Sequence, residues 1–195
     1  MFPRKGFWNF VIVSTRIFLG IIFFTGGMSK LMPFPGIIGP VWLEERLAEY
    51  DVGIFARFIA YSEAIIGLLV LSGRFATIGA IMMFPMIVNI LMVTVSMHWR
   101  GTPYVLSFFL ALNILLLIAD WHKLKHLLSD QTEPYRQIPL RRKHWRMDLL
   151  WAAGMIFIMS SIFVYPLHGS LSYLMVAIEF LAFIGAWVWE RQQIA

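Results

Sequence analysis

The chain of 195 residues contains no cysteine and few charged side chains. The absence of cysteine excludes disulfide bonds, dithiol chemistry within the chain and ligation of an iron–sulfur cluster. Asp, Glu, Lys and Arg make up 14% of the residues, whereas a soluble domain has about 25%. Hydrophobic residues reach 59%, above the about 45–50% of soluble domains. The composition therefore indicates an integral membrane protein, with the lipid bilayer as its first partner.

The sequence also lacks a long polar block that would fold as a second, soluble domain. Six apolar stretches fill most of the chain instead, and a helix needs about 20 apolar residues to cross a bilayer. We therefore predict an all-α integral membrane protein with six transmembrane helices. Four spans with two peripheral hairpin segments are the alternative, because two of the stretches are short. The stretches run over 7–32, 53–72, 75–98, 103–119, 149–166 and 171–189.

Basic residues lie mainly at the ends of these stretches. They concentrate in the N-terminal tail, in the connections after the second and fourth stretches, and in the C-terminal tail. Because Lys and Arg stay on the cytoplasmic side, both termini are predicted to be cytoplasmic, which requires an even number of spans. The net charge of +5 is explained in this way and does not predict a nucleic-acid partner.

Two connections have a pattern of their own. Residues 40–50 place apolar side chains against acidic ones, which predicts a short amphipathic helix at the outer surface, with an ordinary loop as the alternative. The connection 121–147 is basic and ends beside a membrane helix. A basic run in this position attracts anionic lipid, although its role in setting topology is a sufficient explanation. The run consists of Arg141, Arg142, Lys143 and Arg146.

Charged residues lie deep inside the first two stretches. Counting at about 1.5 Å per residue places Arg16 and Glu63 both about 13–14 Å from the cytoplasmic edge. A charge at that depth needs a partner, so we predict that Arg16 pairs with Glu63, with Glu179 in the last stretch as a competing carboxylate at a similar depth. The pair either fixes the packing of the helices or forms a polar site for a ligand or a proton.

Other polar residues extend this prediction. Lys30, at the outer end of the first stretch, either snorkels to the surface or faces inward toward the mouth of the same cavity. Asn89 and Asn113 are deep enough to face the bundle, where hydrogen bonding between helices is their expected role. The five histidines all lie near predicted interfaces, so we predict neither a bis-histidine haem nor a metal site.

Two motifs combine these residues with glycines at helical spacing. Gly20, Gly27 and Gly67 allow close approach of helices, and Arg16, Lys30 and Glu63 occupy fixed positions relative to them. The first motif is Arg16-x-x-Leu19-Gly20-x-x-Phe23-x-x-x-Gly27-x-x-Lys30, and the second is Glu63-x-x-x-Gly67-Leu68 followed by Leu71-x-Gly73-Arg74.

This pattern resembles the DoxX-like (DoxX/DoxD) family of small bacterial and archaeal membrane proteins, built on a four-helix unit. The resemblance covers about residues 7–120. It implies a four-helix membrane unit over 1–120. Charge and hydropathy predict a basic cytoplasmic connection over 121–147 and a further transmembrane hairpin over 148–195, and this hairpin departs from the family unit. The resemblance also implies location in the bacterial inner membrane, and it carries over Arg16, Lys30 and Glu63 as the family-like polar residues.

The resemblance implies a link to membrane redox complexes, since the family is named from a subunit associated with a thiosulfate:quinone oxidoreductase. Related thiol-transfer branches use cysteines that this chain lacks. The leading hypothesis is a structural or accessory subunit of a larger membrane complex, without enzymatic activity of the isolated chain. The alternatives are a subunit that binds a quinone or lipid, with no covalently bound cofactor, and a small transporter.

Overall fold

The computed structural model describes residues 5–35, 43–128 and 145–192. Regular structure within these residues is entirely α-helical. The helices are α1 (Lys5–Leu31), α2 (Leu43–Ala48), α3 (Gly53–Leu71), α4 (Ala76–Ser96), α5 (Thr102–Ala119), α6 (Trp121–Leu128), α7 (Trp145–Val164) and α8 (Gly169–Gln192).

Six of these helices, α1, α3, α4, α5, α7 and α8, are long and apolar enough to cross a membrane. This confirms the predicted all-α membrane class and its six spans. Glycines contribute to the α3–α4 and α4–α5 turns, with φ of 65° at Gly73 and 92° at Gly101, where a side chain would be strained. Pro103 lies in the first turn of α5, where its missing N–H removes no helical hydrogen bond.

The chain divides into two compact units, residues 1–138 and 139–195. In the first unit, α1 packs on α3, α3 on α4, α4 on α5, and α5 returns to α1, which closes a four-helix bundle. The short helix α2 packs on α3, with Leu47 buried and Glu45 exposed. A turn at Asp120 separates α6 from α5, so the chain after the fourth membrane helix starts as a separate short helix.

Glycines set how closely α1 and α3 approach each other. A methyl group at Gly27 would lie 2.4 Å from the backbone nitrogen of Ala64, and one at Gly67 would lie 2.3 Å from that of Phe24. Gly20 lies against Leu71 in the same way. The two helices therefore run antiparallel with their backbones in contact, the small-residue packing common between membrane helices.

Apolar side chains from all four long helices fill the bundle. Since lipid is as apolar as leucine, this core stabilises the bundle through close packing and not through exclusion of water. Its members include Leu19, Phe23, Ile59, Ile66, Met83, Ile87, Phe109 and Leu116.

The second unit is an antiparallel pair formed by α7 and α8. Trp151 stacks on Phe183 with ring centroids 4.3 Å apart. The Ser172 hydroxyl donates a hydrogen bond of 2.8 Å to the carbonyl oxygen of Ser161. A side chain at Gly154 would collide with the Glu179 carboxylate, so the glycine provides the space that Glu179 occupies.

Candidate functional site

A buried ion pair joins the end of α1 to the middle of α3. Lys30, in the last turn of α1, donates a hydrogen bond from Nζ to Oε2 of Glu63. The two side chains are 7% and 8% exposed. Because burial removes both groups from solvent, each charge depends on the other for compensation. Lys30 therefore faces into the bundle and does not snorkel to the surface.

This pair lines a cavity of about 220 Å³ between α1, α3, α4 and α5. The exposed residues Arg100 and Val105 lie at its rim, so the cavity reaches the surface near the α4–α5 turn. Thr94 and Thr102 add hydroxyl groups to the lining. The remaining walls are mainly apolar and include Ile22, Phe23, Ile59, Val93, Leu106 and Phe109.

The chemistry of the cavity follows from the donors of Lys30. An ammonium group has three N–H donors, and Glu63 accepts one of them. The remaining donors lie in an apolar enclosure, where a hydrogen bond to a carbonyl oxygen or an anionic headgroup is stronger than in water. The cavity is therefore suited to a ligand with a polar acceptor group and an apolar body.

A second polar cluster gathers around Asp120, between α5 and α6. One carboxylate oxygen of Asp120 accepts hydrogen bonds of 2.8 Å from Nη2 of Arg16 and 2.8 Å from Oγ1 of Thr77. The other oxygen accepts a 3.0 Å bond from Nζ of Lys123, which also donates to the Thr77 hydroxyl at 3.2 Å. The cluster ties the bundle together, because its members come from α1, α4, α6 and the turn before α6.

The predicted Arg16–Glu63 pair is therefore wrong, since Arg16 pairs with Asp120 and Glu63 with Lys30. The glycine contacts give the reason. They place residue 27 opposite residue 64 and residue 20 opposite residue 71, so Glu63 lies at the level of the last turn of α1. Arg16 lies more than three turns away, about 21 Å at about 1.5 Å per residue. Counting from the cytoplasmic ends of the stretches assumed that these ends are level. They are not, because α1, with 27 residues, is longer than α3, with 19, and the end of α3 at Leu71 lies opposite Gly20.

Protonation of Asp120 should weaken the second cluster. Burial alone would raise the pKa of Asp120 above its usual 3.8, but hydrogen bonds from Thr77 and Lys123 and the charges of Arg16 and Lys123 outweigh burial and lower it. A lowered pKa in the folded state stabilises the fold above 3.8, and this stabilisation is lost as the pH falls through the folded-state pKa.

We therefore expect Asp120→Asn to lower the melting temperature of the purified protein at pH 7, with a smaller difference from the wild type at pH 3. Asp51→Asn, at an exposed turn position, is the control and should change little at either pH. If Asp120→Asn lowered the melting temperature equally at both pH values, the charge of Asp120 would not be what stabilises the cluster.

The other predicted site residues lie in different places. Asn113 is fully buried and donates a 3.0 Å hydrogen bond from Nδ2 to the carbonyl oxygen of Ala80, which joins α5 to α4. Asn89 lies in a groove between α3 and α4, separate from the lining of the cavity. Glu179 belongs to the second unit. The structure thus brings together Lys30 and Glu63 in one place, and Arg16 with Asp120 in another.

Arg141, Arg142 and Lys143, for which we predicted contact with anionic lipid, lie outside the described residues, as does the side chain of Arg146. Within 5–35, 43–128 and 145–192, no group of three or more His, Asp or Glu side chains is arranged to hold a metal ion.

Sequence reasoning missed Asp120 and Thr77. A signal for Asp120 was present, because it is the sole acidic residue between Glu63 and Asp130 and directly follows an apolar stretch. An acidic residue in basic surroundings is a natural partner for an arginine that cannot reach solvent freely. Thr77 gave no comparable signal, since hydroxyl residues are common in membrane helices and usually bond to their own backbone.

The fold and its buried charges define a multi-pass helical membrane protein with a polar pair inside its first four-helix unit. Residues 11–99 match the model of the DoxX family, which confirms the resemblance to the DoxX-like family. The matched region includes Arg16, Lys30 and Glu63, whereas Asp120 and the α7–α8 pair lie beyond it. Neither the curated proteins nor the solved structures that were compared with the chain gave a match.

Proposed function

We propose that this protein is a membrane subunit that binds a small amphipathic ligand of the quinone or lipid class in the cavity beside Lys30 and Glu63. The observation that carries the proposal is a buried ion pair that lines an open cavity with apolar walls. A pair that served packing alone would need no cavity next to it. Lys30 supplies a hydrogen-bond donor to a carbonyl or headgroup oxygen, and the hydrogen bond to Glu63 holds the Lys30 side chain beside the cavity.

The size of the cavity constrains the ligand. Its volume of about 220 Å³ is below the about 300–1,000 Å³ typical of pockets that enclose a whole drug-sized molecule. A ring or a compact headgroup fits inside, and a longer tail has to leave at the rim. Val105, which is 40% exposed and lies on this rim, marks where an acyl or isoprenoid tail would pass into the bilayer.

A substitution that fills the cavity tests this proposal. Val93 lines the cavity, whereas Val95, two residues further along α4, is 50% exposed and does not line it. Val93→Phe should weaken binding of a short-tailed benzoquinone by about tenfold, equivalent to about 1.4 kcal/mol, and Val95→Phe should leave it unchanged. Trp99 lines the cavity, so quenching of tryptophan fluorescence during titration of the protein in nanodiscs gives the affinity.

Competition separates the two ligand classes. If the natural ligand is a lipid, added phosphatidylglycerol should displace the benzoquinone in the wild type but not change the small residual quenching of Val93→Phe. Equal affinities of Val93→Phe and Val95→Phe, or quenching that never saturates, would contradict a site in this cavity.

The α7–α8 pair favours a second proposal, that the chain also acts as an accessory subunit. Most of the α8 side chains that the structure describes, at residues 170–186, are exposed, including Leu174, Ile178 and Leu181. Glu179 lies among them, half-buried, and none of the described residues donates a hydrogen bond to its carboxylate. A carboxyl group within a membrane helix needs such a donor. A transmembrane helix of another subunit with a donor at that depth would supply it.

A further inference from the structure

A groove of about 310 Å³ lies between α3 and α4, on a different side of these helices from the cavity. Its edges are formed by large apolar side chains that point out of the bundle: Phe58 is 60% exposed, Ile65 40% and Met82 42%. These values are ordinary for residues that face lipid. The groove is unusual because its lining also includes the polar side chains Ser62 and Asn89.

Neither polar side chain is satisfied within the first unit. Ser62 and Asn89 are half-buried, and no hydrogen bond joins either side chain to another of the described residues. Pro85, which also lines the groove, has no N–H, so the carbonyl oxygen of Ile81 lacks its helical donor. The groove thus combines a hydroxyl and an amide, and the helix that forms one of its walls has a backbone carbonyl without its helical donor.

The depth of these groups excludes water and lipid headgroups as their partners. Ser62 is the midpoint of α3, about 14 Å from either end at about 1.5 Å per residue. Asn89 lies in the interior of α4, one helical turn after Pro85. Polar groups at the centre of a bilayer are satisfied by protein, because the hydrocarbon offers neither donors nor acceptors. Another transmembrane surface is therefore needed.

The chemistry of the groove fits a second copy of the chain. An amide and a hydroxyl each both donate and accept, so the same group on a second copy is a complete partner. All copies insert into the membrane in the same orientation, so a two-fold axis between them runs along the bilayer normal. Residues then meet their own counterparts at the same depth, and two Asn89 amides can exchange reciprocal hydrogen bonds. None of the described residues that line the groove is charged, so these residues of two copies do not repel each other.

We propose that the protein forms a two-fold dimer through the α3–α4 groove, with Asn89 hydrogen-bonded to Asn89 of the second copy. The exposed edges pack against each other around this contact, as apolar ridges do around polar groups between membrane helices. The proposal does not depend on ligand binding in the cavity, because different side chains of α3 and α4 form the two surfaces.

The absence of cysteine makes the test direct, since a single introduced cysteine cannot form a disulfide within its own chain, and a cross-linked product of twice the chain mass identifies a second copy as the partner. We expect Met82→Cys, oxidised in native membranes, to give a disulfide-linked dimer. Phe108→Cys, on α5 and 55% exposed, is the matched control and should remain monomeric. Adding Asn89→Leu to Met82→Cys should reduce the cross-linked fraction by about fivefold, because the interchain hydrogen bonds are lost.

Ile65→Cys is a second reporter on the same groove in case Met82→Cys does not fold. Each variant should elute from size exclusion as the wild type does before its cross-linking is interpreted. Cross-linking at Met82 and Ile65 no greater than at Phe108 would overturn the proposal, because two copies would then not meet at this groove. An Asn89→Leu variant that cross-links as efficiently as its parent would overturn the role of Asn89.

Discussion

Glu63→Leu is expected to destabilise the protein by about 3–5 kcal/mol, because it leaves the Lys30 ammonium buried without a counter-charge. Both side chains are less than 10% exposed, so solvent cannot replace the lost partner. The variant should therefore show a much lower melting temperature in detergent and a lower yield of monodisperse protein. Thermal denaturation followed by circular dichroism or by size exclusion gives the measurement.

The double variant Lys30→Met/Glu63→Leu separates stability from binding. Replacing both members of a buried pair by apolar residues is often neutral or stabilising, so this variant should recover most of the lost stability. It should nevertheless fail to bind the benzoquinone, since the donor of Lys30 is gone. Glu45→Leu, at an exposed position on α2, serves as a control for loss of a carboxylate. If the single Glu63→Leu variant were as stable as the wild type, Lys30 would not need the carboxylate of Glu63 to compensate its buried charge.

Gly67→Ala should destabilise the bundle by about 3 kcal/mol or more, although it adds a single methyl group. The new carbon would lie 2.3 Å from the backbone nitrogen of Phe24 and 2.7 Å from its α-carbon. Neither helix can move aside without separating α1 from α3, which is the most extensive contact between helices in the first unit. Loss of folded protein after thermal challenge in detergent is the measurement.

Glycine to alanine at a different position should not lower the stability of the protein. Gly6, near the start of α1, has no atoms within 4 Å of the position that a methyl group would occupy. In a helix interior, alanine is favoured over glycine by up to about 1 kcal/mol, so Gly6→Ala should leave the melting temperature unchanged or raise it slightly. If Gly67→Ala were equally harmless, the close approach of α1 and α3 would not be a requirement of this fold.

The spans were predictable from local properties of the chain. Each apolar stretch became a helix because a backbone in lipid must satisfy its own hydrogen bonds, and only the length and composition of the stretch decide this. The glycines at 20, 27 and 67 were recognisable as points of close approach, because a residue without a side chain lets the backbones of two helices come into contact. Lys30 and Glu63, which line the cavity, could be singled out because they are charged residues within or at the end of apolar stretches, whereas Arg16, Glu179, Asn89 and Asn113 were grouped with them and lie elsewhere.

The partners of those residues were not predictable in the same way. Pairing Arg16 with Glu63 required the relative height of two helices, and this height depends on which glycine meets which backbone atom. Asp120 was overlooked because it lies in a turn at the end of a stretch, where its burial depends on Arg16, Thr77 and Lys123 coming from three other elements.

By itself, the sequence determined the membrane environment, the helical class and the six spans, because each follows from hydropathy. It also showed that Arg16, Lys30 and Glu63 need partners, because a charge in hydrocarbon has a high free energy. Only the tertiary structure decided which charges meet, that a cavity adjoins Lys30 and Glu63, and that Asn89 faces a groove instead of the bundle interior. These features depend on the register between helices. Contacts between a few atoms of residues that are far apart in the sequence set this register, and no local sequence pattern encodes them.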